Sequence, residues 1–317
     1  MHNIGRTSIL AAALTAAVAG LAIPASAATP PLDDVRVVRH LDLAAGRQPE
    51  NLTIEPDGSI DLTMSFSHQI DRLTPDGGLD VLATLPAPPD GTSAPLTGRA
   101  FVGGIVRLPD GTRYVLYSAG TDDLTGLWRI PPGGSPSRVA AMPGTSVPNG
   151  LALHHGFLYA SDSALGAVWR IPLTGGAATV WQESPDLAAG SGNFGANGLK
   201  IRDDAVWVTN MDRGTLLRIP IGCHGGPGAV RTVATGLGTV DDFAFTGDDD
   251  DVLVTNNQGN EVELVRTDGS HTVVLTADDG LQNPTSLARR GDTVYIADAA
   301  YFTATDPNLL SARILNR

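Results

Sequence analysis

Two asparagines open apolar stretches that are otherwise alike. PNGLAL occupies residues 148–153 and ANGLKI occupies residues 196–201, so Asn149 and Asn197 each precede a glycine and an apolar run. Asn and Gly are common in turns and rare in strands, so the simplest interpretation is a corner that leads into a β-strand. The carbonyl oxygen of an Asn side chain is also a ligand for hard cations such as Ca²⁺.

Two acidic residues begin comparable stretches, Glu50 in ENLTIEPDG and Asp241 in VDDFAF. With Asn149 and Asn197 they make a set of two carboxylates and two amide oxygens that contains neither His nor Cys. Such a set suits Ca²⁺, whereas Zn²⁺ prefers nitrogen and sulfur ligands. Two carboxylates about 4 Å apart would repel each other by roughly 4 kcal/mol at an effective dielectric constant near 20, unless a cation lay between them.

The elements that must position these residues repeat along the chain at a spacing of 44 to 53 residues. Each of six units contains three or four short apolar or alternating runs separated by Gly, Asp or Pro turns, which is typical of antiparallel strands. The sixth unit ends after three strands, and VRVVRHL at 35–41 would supply its fourth. We therefore predict an all-β, six-bladed β-propeller with four antiparallel strands per blade, closed by the N-terminal strand.

The innermost strand of each propeller blade lines the central channel, so the residues that open these strands should meet at one mouth. Aligned on the repeat, they are Glu50, Gly103, Asn149, Asn197, Asp241 and Thr285. Four of these residues carry a carboxylate or an amide oxygen, namely Glu50, Asn149, Asn197 and Asp241. We expect these four oxygens to bind Ca²⁺ or another divalent cation. The alternative is that each of them only caps the turn that leads into its blade.

The first 27 residues resemble a secretory signal peptide, with Arg6, an apolar run at 9–23 and ASA at 25–27. We expect cleavage after Ala27, a single propeller domain at 28–317, and a secreted or periplasmic protein. The leader contains one of the 21 basic residues and none of the 34 acidic ones, which leaves a net charge of -14 on the remainder. This charge argues against nucleic acid and anionic membranes as partners. We expect a monomer.

The aligned residues resemble the gluconolactonase and regucalcin (senescence marker protein) family of six-bladed propellers, which is related to the paraoxonases and strictosidine-synthase-like proteins. The resemblance implies that Glu50, Asn149, Asn197 and Asp241 hold a divalent metal, usually calcium. It also implies a lactonase activity. Members that cleave sugar lactones carry an Arg two residues before the third-blade Asn, where this chain has Val147. Asp242 resembles the paired polar residues of paraoxonases and bacterial lactonases.

We therefore predict a secreted, calcium-dependent hydrolase of lactones or related esters. Asp241 or Asp242 is expected to be the base, and His68, in a loop on the ligand face, is a more distant alternative. His154 and His155 fall in the hairpin turn at the opposite face and are not expected to take part in catalysis. The alternative function is a non-catalytic secreted propeller that binds a ligand or a protein on its top face, since propellers host many functions. A condensing enzyme like strictosidine synthase is a weaker third interpretation.

Overall fold

The computed structural model describes residues 31–247 and 249–315. The predicted signal peptide, residues 1–27, lies outside the described residues. The described part is all-β and folds into six four-stranded antiparallel sheets, so the predicted six-bladed propeller is confirmed. Among the described residues, no helix has the length and apolar character needed to cross a membrane.

The first three blades each use four strands that are consecutive in the chain, from the channel outwards. They are β2 (Pro49–Ile54), β3 (Ile60–Met64), β4 (Gln69–Leu73), β5 (Leu79–Thr84), β6 (Phe101–Arg107), β7 (Arg113–Ser118), β8 (Gly126–Ile130), β9 (Ser137–Ala141), β10 (Pro148–His154), β11 (Phe157–Asp162), β12 (Ala167–Pro172) and β13 (Thr179–Glu183).

The fourth and fifth blades follow the same plan, and the sixth combines both ends of the described chain. Their strands are β14 (Ala196–Arg202), β15 (Ala205–Asn210), β16 (Thr215–Pro220), β17 (Arg231–Thr235), β18 (Val240–Phe245), β19 (Val252–Asn256), β20 (Glu261–Val265), β21 (His271–Leu275), β22 (Pro284–Arg290), β23 (Thr293–Asp298), β24 (Asn308–Ile314) and β1 (Leu32–His40). One 3₁₀ turn, Ala277–Asp279, precedes β22.

The ring closes as the sequence predicts. β1 is the outermost strand of the sixth blade and pairs antiparallel with β24, from Leu32 opposite Ile314 to His40 opposite Asn308. The strand begins three residues before the predicted stretch at 35–41. Main-chain hydrogen bonds between β1 and β24 therefore hold the start of the chain in the sixth blade, and the chain continues from β1 into β2 of the first blade, which closes the ring without a disulfide.

Six hydrophobic clusters hold neighbouring blades together. One of them packs Tyr159 and Val168 of the third blade against Leu199 and Val206 of the fourth, all at most 1% exposed. Burial of such side chains stabilises a fold by about 1.5–3 kcal/mol each. Apolar side chains packed between neighbouring blades therefore stabilise the fold, and polar groups can occupy the centre of the ring.

The start of each inner strand carries a β-bulge against the second strand of its blade. The register shifts lie between Pro49 and Asn51, Val102 and Ile105, Pro148 and Leu151, Ala196 and Leu199, Val240 and Phe243, and Pro284 and Ser286. A bulge interrupts strict alternation and re-aims a side chain. All six bulges fall on the aligned residues, so the same distortion shapes the channel mouth in every blade.

The glycines that follow two of the ligand candidates allow adjacent inner strands to approach closely. A Cβ atom on Gly150 would lie 2.3 Å from the main-chain nitrogen of Leu199 and 2.6 Å from the main-chain carbonyl oxygen of Asn197. A Cβ atom on Gly198 would lie 2.6 Å from Cα of Asp242 and 2.8 Å from the main-chain carbonyl oxygen of Asp241. The glycine of each Asn-Gly pair is therefore required by main-chain packing between neighbouring blades. This packing explains the Gly of the motif but not the Asn.

Candidate metal centre and cavity

The four predicted ligands meet at one cavity. Glu50, Asn149, Asn197 and Asp241 are each the second residue of an inner strand and all line a cavity of about 650 Å³ at the end of the channel where these strands begin. Their side chains are buried, with relative exposures between 1% and 3%. Residues up to 191 positions apart in sequence thus share one buried polar surface.

Glu50 is held from two sides. Asn149 Nδ2 donates to Glu50 Oε1 at 3.2 Å, and the hydroxyl of Tyr301 donates to Oε2 at 2.6 Å. The Tyr301 hydroxyl is in turn hydrogen-bonded to Ser65 Oγ. With its nitrogen turned to Glu50, Asn149 has its carbonyl oxygen as the atom that can bind a cation.

Burial makes both ring carboxylates weaker acids than usual. It raises the pKa of Glu50 to about 7, although the hydrogen bonds from Tyr301 and Asn149 oppose this rise. Burial also raises the pKa of Asp241 well above its usual range, and the negative charges of Glu50 and Asp242 raise it further. A cation at the ring would reverse this effect, because an adjacent positive charge favours the ionised carboxylate.

Asn197 provides the test of whether a cation fits. Its Oδ1 atom is buried and has no hydrogen-bond partner, while its Nδ2 atom lies 3.7 Å from the sulfur of Met211. A buried carbonyl oxygen without a partner costs about 1–3 kcal/mol. A hard cation would satisfy this oxygen and neutralise the two carboxylates, so the donor set fits Ca²⁺.

Asp242 lies beside this ring but does not line the cavity. Its carboxylate pairs with Lys200 Nζ at 2.6 Å and accepts hydrogen bonds from Ser286 Oγ at 2.7 Å and from Asn51 Nδ2 at 3.2 Å. Asn51 and Ser286 occupy the positions that correspond to Asp242 in the first and sixth blades. The role of Asp242 as a base stays a prediction, and its oxygens are occupied by three neighbours.

The other candidate positions also lie away from the cavity surface. His68 packs edge-on against Tyr117 with ring centroids 5.7 Å apart, and burial lowers the pKa of this histidine. Val147 is fully buried. Thr285, the sixth-blade counterpart of the ligands, has its hydroxyl within hydrogen-bonding distance of the Pro49 and Ala297 carbonyl oxygens, at 3.0 and 3.1 Å.

The aromatic wall of the cavity is a feature that sequence reasoning missed. The apolar side chains that line the cavity are Phe66, Leu96, Phe101, Phe194, Met211 and Phe302. The guanidinium carbon of Arg99 lies 3.6 Å above the ring centroid of Phe66. Phe101 begins β6, and the other residues come from loops around the channel mouth. Only their position after a second strand or at the start of an inner strand could have indicated this role. Tyr301 was missed for the same reason.

Comparison with protein-family models and with curated proteins gives no match. Solved structures share the fold. A calcium-binding protein, regucalcin, from Agrobacterium tumefaciens has a TM-score of 0.64 at 15% identity, over 87% of this chain and 93% of that chain. Virginiamycin B lyase from Staphylococcus aureus has a TM-score of 0.59 at 17% identity, over 89% and 100%.

A chain of the nidogen–laminin complex is also similar, with a TM-score of 0.57 at 16% identity, over 80% of this chain and 93% of that chain. At such identities the comparisons show the propeller fold alone. The neighbours include enzymes as well as a protein–protein complex, so the function must be argued from the site.

Proposed function

We propose that this chain is an exported hydrolase of lactones or related esters that depends on a divalent cation, with Ca²⁺ held by Glu50, Asn149, Asn197 and Asp241. The observation that carries the proposal is the buried oxygen of Asn197, unpartnered beside two carboxylates at the base of an open cavity. Concave sites with convergent polar groups and perturbed pKa values are typical of active sites. A flat polar face would have favoured a binding protein instead.

A divalent cation in this ring would polarise the substrate carbonyl and stabilise the oxyanion that forms from it. The side chains supply the rest. Asp241 is the better candidate for the base because it faces the cavity, whereas Asp242 is paired with Lys200. In the proposed step the oxygen of a water molecule bonds to the carbonyl carbon and its proton moves to a carboxylate oxygen of Asp241. The carbon–oxygen bond of the ester then breaks, and the leaving alkoxide takes up the proton from Asp241, which restores the carboxylate.

Hydrogen bonds hold Glu50 in place for this reaction. Tyr301 and Asn149 contact one carboxylate oxygen each, so the side chain cannot rotate without losing a bond. Lys200 provides the positive charge nearest to Asp242 and thereby keeps two adjacent carboxylates in one strand compatible with folding. Pre-organised groups of this kind reduce the reorganisation needed in the transition state.

The walls of the cavity favour an apolar substrate. Phe66, Phe101 and Phe302 present rings to the cavity, and Val147 stands where sugar-lactone-cleaving relatives have an Arg. Burial of an alkyl or aryl substituent against these rings is favourable, and the polar side chains that also line the cavity, among them Gln48, Asn193 and Asn257, are available to the ester group. We therefore propose lactones or esters with an alkyl or aryl substituent as the substrate class.

The test is hydrolysis of a panel of alkyl, aryl and sugar lactones, with Ca²⁺ and with excess chelator. We expect activity on the alkyl and aryl members that disappears with chelator and with the Asp241→Asn variant. Asp204→Asn, an exposed change at the other end of the channel, serves as the matched control and should retain full activity. Stoichiometric metal binding without hydrolysis of any member would contradict the enzyme proposal.

The second candidate function is a calcium-stabilised binding protein. The observation in its favour is exposed apolar surface at the rim of the cavity, since Phe302 is 63% exposed and Leu96 is 41% exposed. Exposed aromatic side chains around a cavity are also what a docking surface presents. Tight binding of the lactone panel without turnover, lost in a Phe302→Ser variant, would support this function over hydrolysis.

A further inference from the structure

Three potential metal ligands meet at the end of β10 that lies farthest from the oxygen ring. His154 Nε2 lies 3.1 Å from Asp204 Oδ1, and His155 Nε2 lies 3.8 Å from the same oxygen. The three ligand atoms all lie within 4.8 Å of one another. Among the residues that the structure describes, this is the one group of three His, Cys, Asp or Glu side chains with that property.

The turn geometry explains how two consecutive histidines can face one carboxylate. Residues 155 and 156 form the corner between β10 and β11 with φ of 45° and 78°, and Asp203 and Asp204 form the next blade's corner with φ of 47° and 49°. Positive φ at both central residues is the property of a type I′ hairpin turn. In a strand, consecutive side chains point to opposite faces, but His155 has a left-handed conformation and does not follow this alternation. Its ring centroid therefore lies 4.1 Å from that of His154.

The two distances from Asp204 to the histidines are close to those between ligands around a tetrahedral ion. Metal–ligand bonds of about 2.1 Å at tetrahedral angles place ligand atoms about 3.4 Å apart. The observed 3.1 and 3.8 Å lie on either side of this value. Two imidazole nitrogens with one carboxylate oxygen suit Zn²⁺ and similar transition-metal ions, whereas Ca²⁺ prefers oxygen ligands alone.

The surroundings leave room for such an ion. The three residues line a cavity of about 310 Å³ together with Arg170 and Cys223, among others. Arg170 is the one Arg or Lys among the described residues that line this cavity, and its guanidinium carbon stacks 3.5 Å above the ring of Phe157. This stacking holds the positive charge against an aromatic face. The thiol of Cys223 is free and exposed, and it lies outside the group of three.

We propose that His154, His155 and Asp204 bind one Zn²⁺ or a similar transition-metal ion, with water completing the coordination. The ion would join the inner hairpin of the third blade to that of the fourth, on the face opposite the oxygen ring. The site is independent of the proposed hydrolase activity, because none of its residues lines the larger cavity.

The experiment measures zinc bound by the untagged full chain in equilibrium dialysis, with Ca²⁺ in excess so that oxygen-only sites are filled. We expect one zinc per chain in the parent and loss of that zinc in His155→Asn and in Asp204→Asn. Both positions are exposed, and Asn tolerates the left-handed conformation that each requires. Circular dichroism should show that both variants remain folded.

Matched controls separate this site from surface binding and from the thiol. His40→Asn removes the histidine of another surface pair, His40 with Asp306 at 2.9 Å, which has no second histidine, and should leave the bound zinc unchanged. Cys223→Ser should also retain it, and Co²⁺ in the parent should show no sulfur-to-metal charge-transfer band. Absence of zinc in the parent, or its loss in Cys223→Ser but not in His155→Asn, would overturn the proposal.

Discussion

The two ends of strands β10 and β14 carry different chemistry on the same backbone. At the start of each strand, Asn149 and Asn197 are buried and line the same cavity as Glu50 and Asp241. At the other end, His154 and His155 of the third blade face Asp204 of the fourth, with the His155 side chain 82% exposed and that of Asp204 71% exposed. At the first end the backbones of neighbouring blades are in close contact beneath the cavity, and at the other end the side chains of His155 and Asp204 are open to solvent.

The difference shows how position along an inner strand sets the kind of site. Where the strands converge, glycines bring the backbones together and burial raises the free energy of carboxylates that lack a cation. Where the strands end in hairpin turns, the side chains of His155 and Asp204 remain hydrated and are placed by the conformation of the turns. The buried end therefore couples ligand binding to stability, while the exposed end should couple to it weakly.

The largest expected difference between the two ends is in their effect on catalytic activity. Asp241→Asn at the buried end should lower kcat/KM for a cleaved lactone by on the order of 100-fold or more, because removing a group that stabilises the transition state costs about 2.7–4 kcal/mol. Asp204→Asn at the exposed end should leave it unchanged. Steady-state assays in saturating Ca²⁺ measure both, and equal losses in the two variants would contradict the assignment of the active site.

The two glycines of β10 and its turn should differ in their tolerance of a methyl group. Gly150→Ala would bring its Cβ to 2.3 Å from the Leu199 nitrogen, so unfolding should become easier by roughly 3 kcal/mol. Gly156→Ala meets no atom within 4 Å but has φ of 78°, so about 1 kcal/mol is expected from the left-handed backbone. Urea unfolding of both variants compares the two ends, and a larger loss at Gly156 would contradict the close packing at the channel mouth.

Chelation should destabilise the protein through the buried end. At free Ca²⁺ 100 times the dissociation constant, binding stabilises the fold by about 2.7 kcal/mol, and excess chelator removes this. Asp241→Asn removes one of two repelling charges, so in chelator it should be more stable than the parent in chelator. Asn149→Ala should weaken Ca²⁺ affinity without this compensation.

Thermal melting of the parent and both variants, each with Ca²⁺ and with chelator, tests this prediction. If the melting temperature of the parent is the same with and without chelator, and the two variants behave alike, the four residues only cap turns.

The smallest expected effect is the pH dependence of the chelated protein. In the folded chain Glu50 takes up a proton below about pH 7, whereas its usual pKa is 4.5. Between these two pH values, folding is accompanied by uptake of a proton at Glu50. The stabilisation that this proton contributes is therefore fully present at low pH and is lost as the pH rises through 7. Lowering the pH from 8 to 6 should stabilise the chelated fold by about 1 kcal/mol.

Asp241 contributes in the same direction, because its pKa is also raised. The Glu50→Gln variant in chelator should lose the part of this dependence that Glu50 contributes, and urea unfolding at several pH values measures it. A chelated parent that becomes less stable as the pH falls from 8 to 6 would show that the ring carboxylates are not the dominant titrating groups.

The sequence alone determined the architecture, and it predicted which residues form the oxygen ring. A repeat of short alternating strands specifies blades, and a missing strand at one end with a spare strand at the other specifies closure by β1 and β24. Glu50, Asn149, Asn197 and Asp241 could be aligned because residues at equivalent positions of a repeat occupy equivalent places around an axis. The metal itself stays a prediction.

Only the tertiary structure decided which side chains surround that ring. Asp241 and Asp242 are adjacent in sequence, yet one faces the cavity and the other pairs with Lys200, because a bulge and the alternation of the strand separate them. Tyr301 reaches Glu50 from a loop 251 residues away, and His155 reaches Asp204 through a left-handed turn. Loop paths and local φ angles carry no periodic signal, so these contacts depend on the packing of the whole ring.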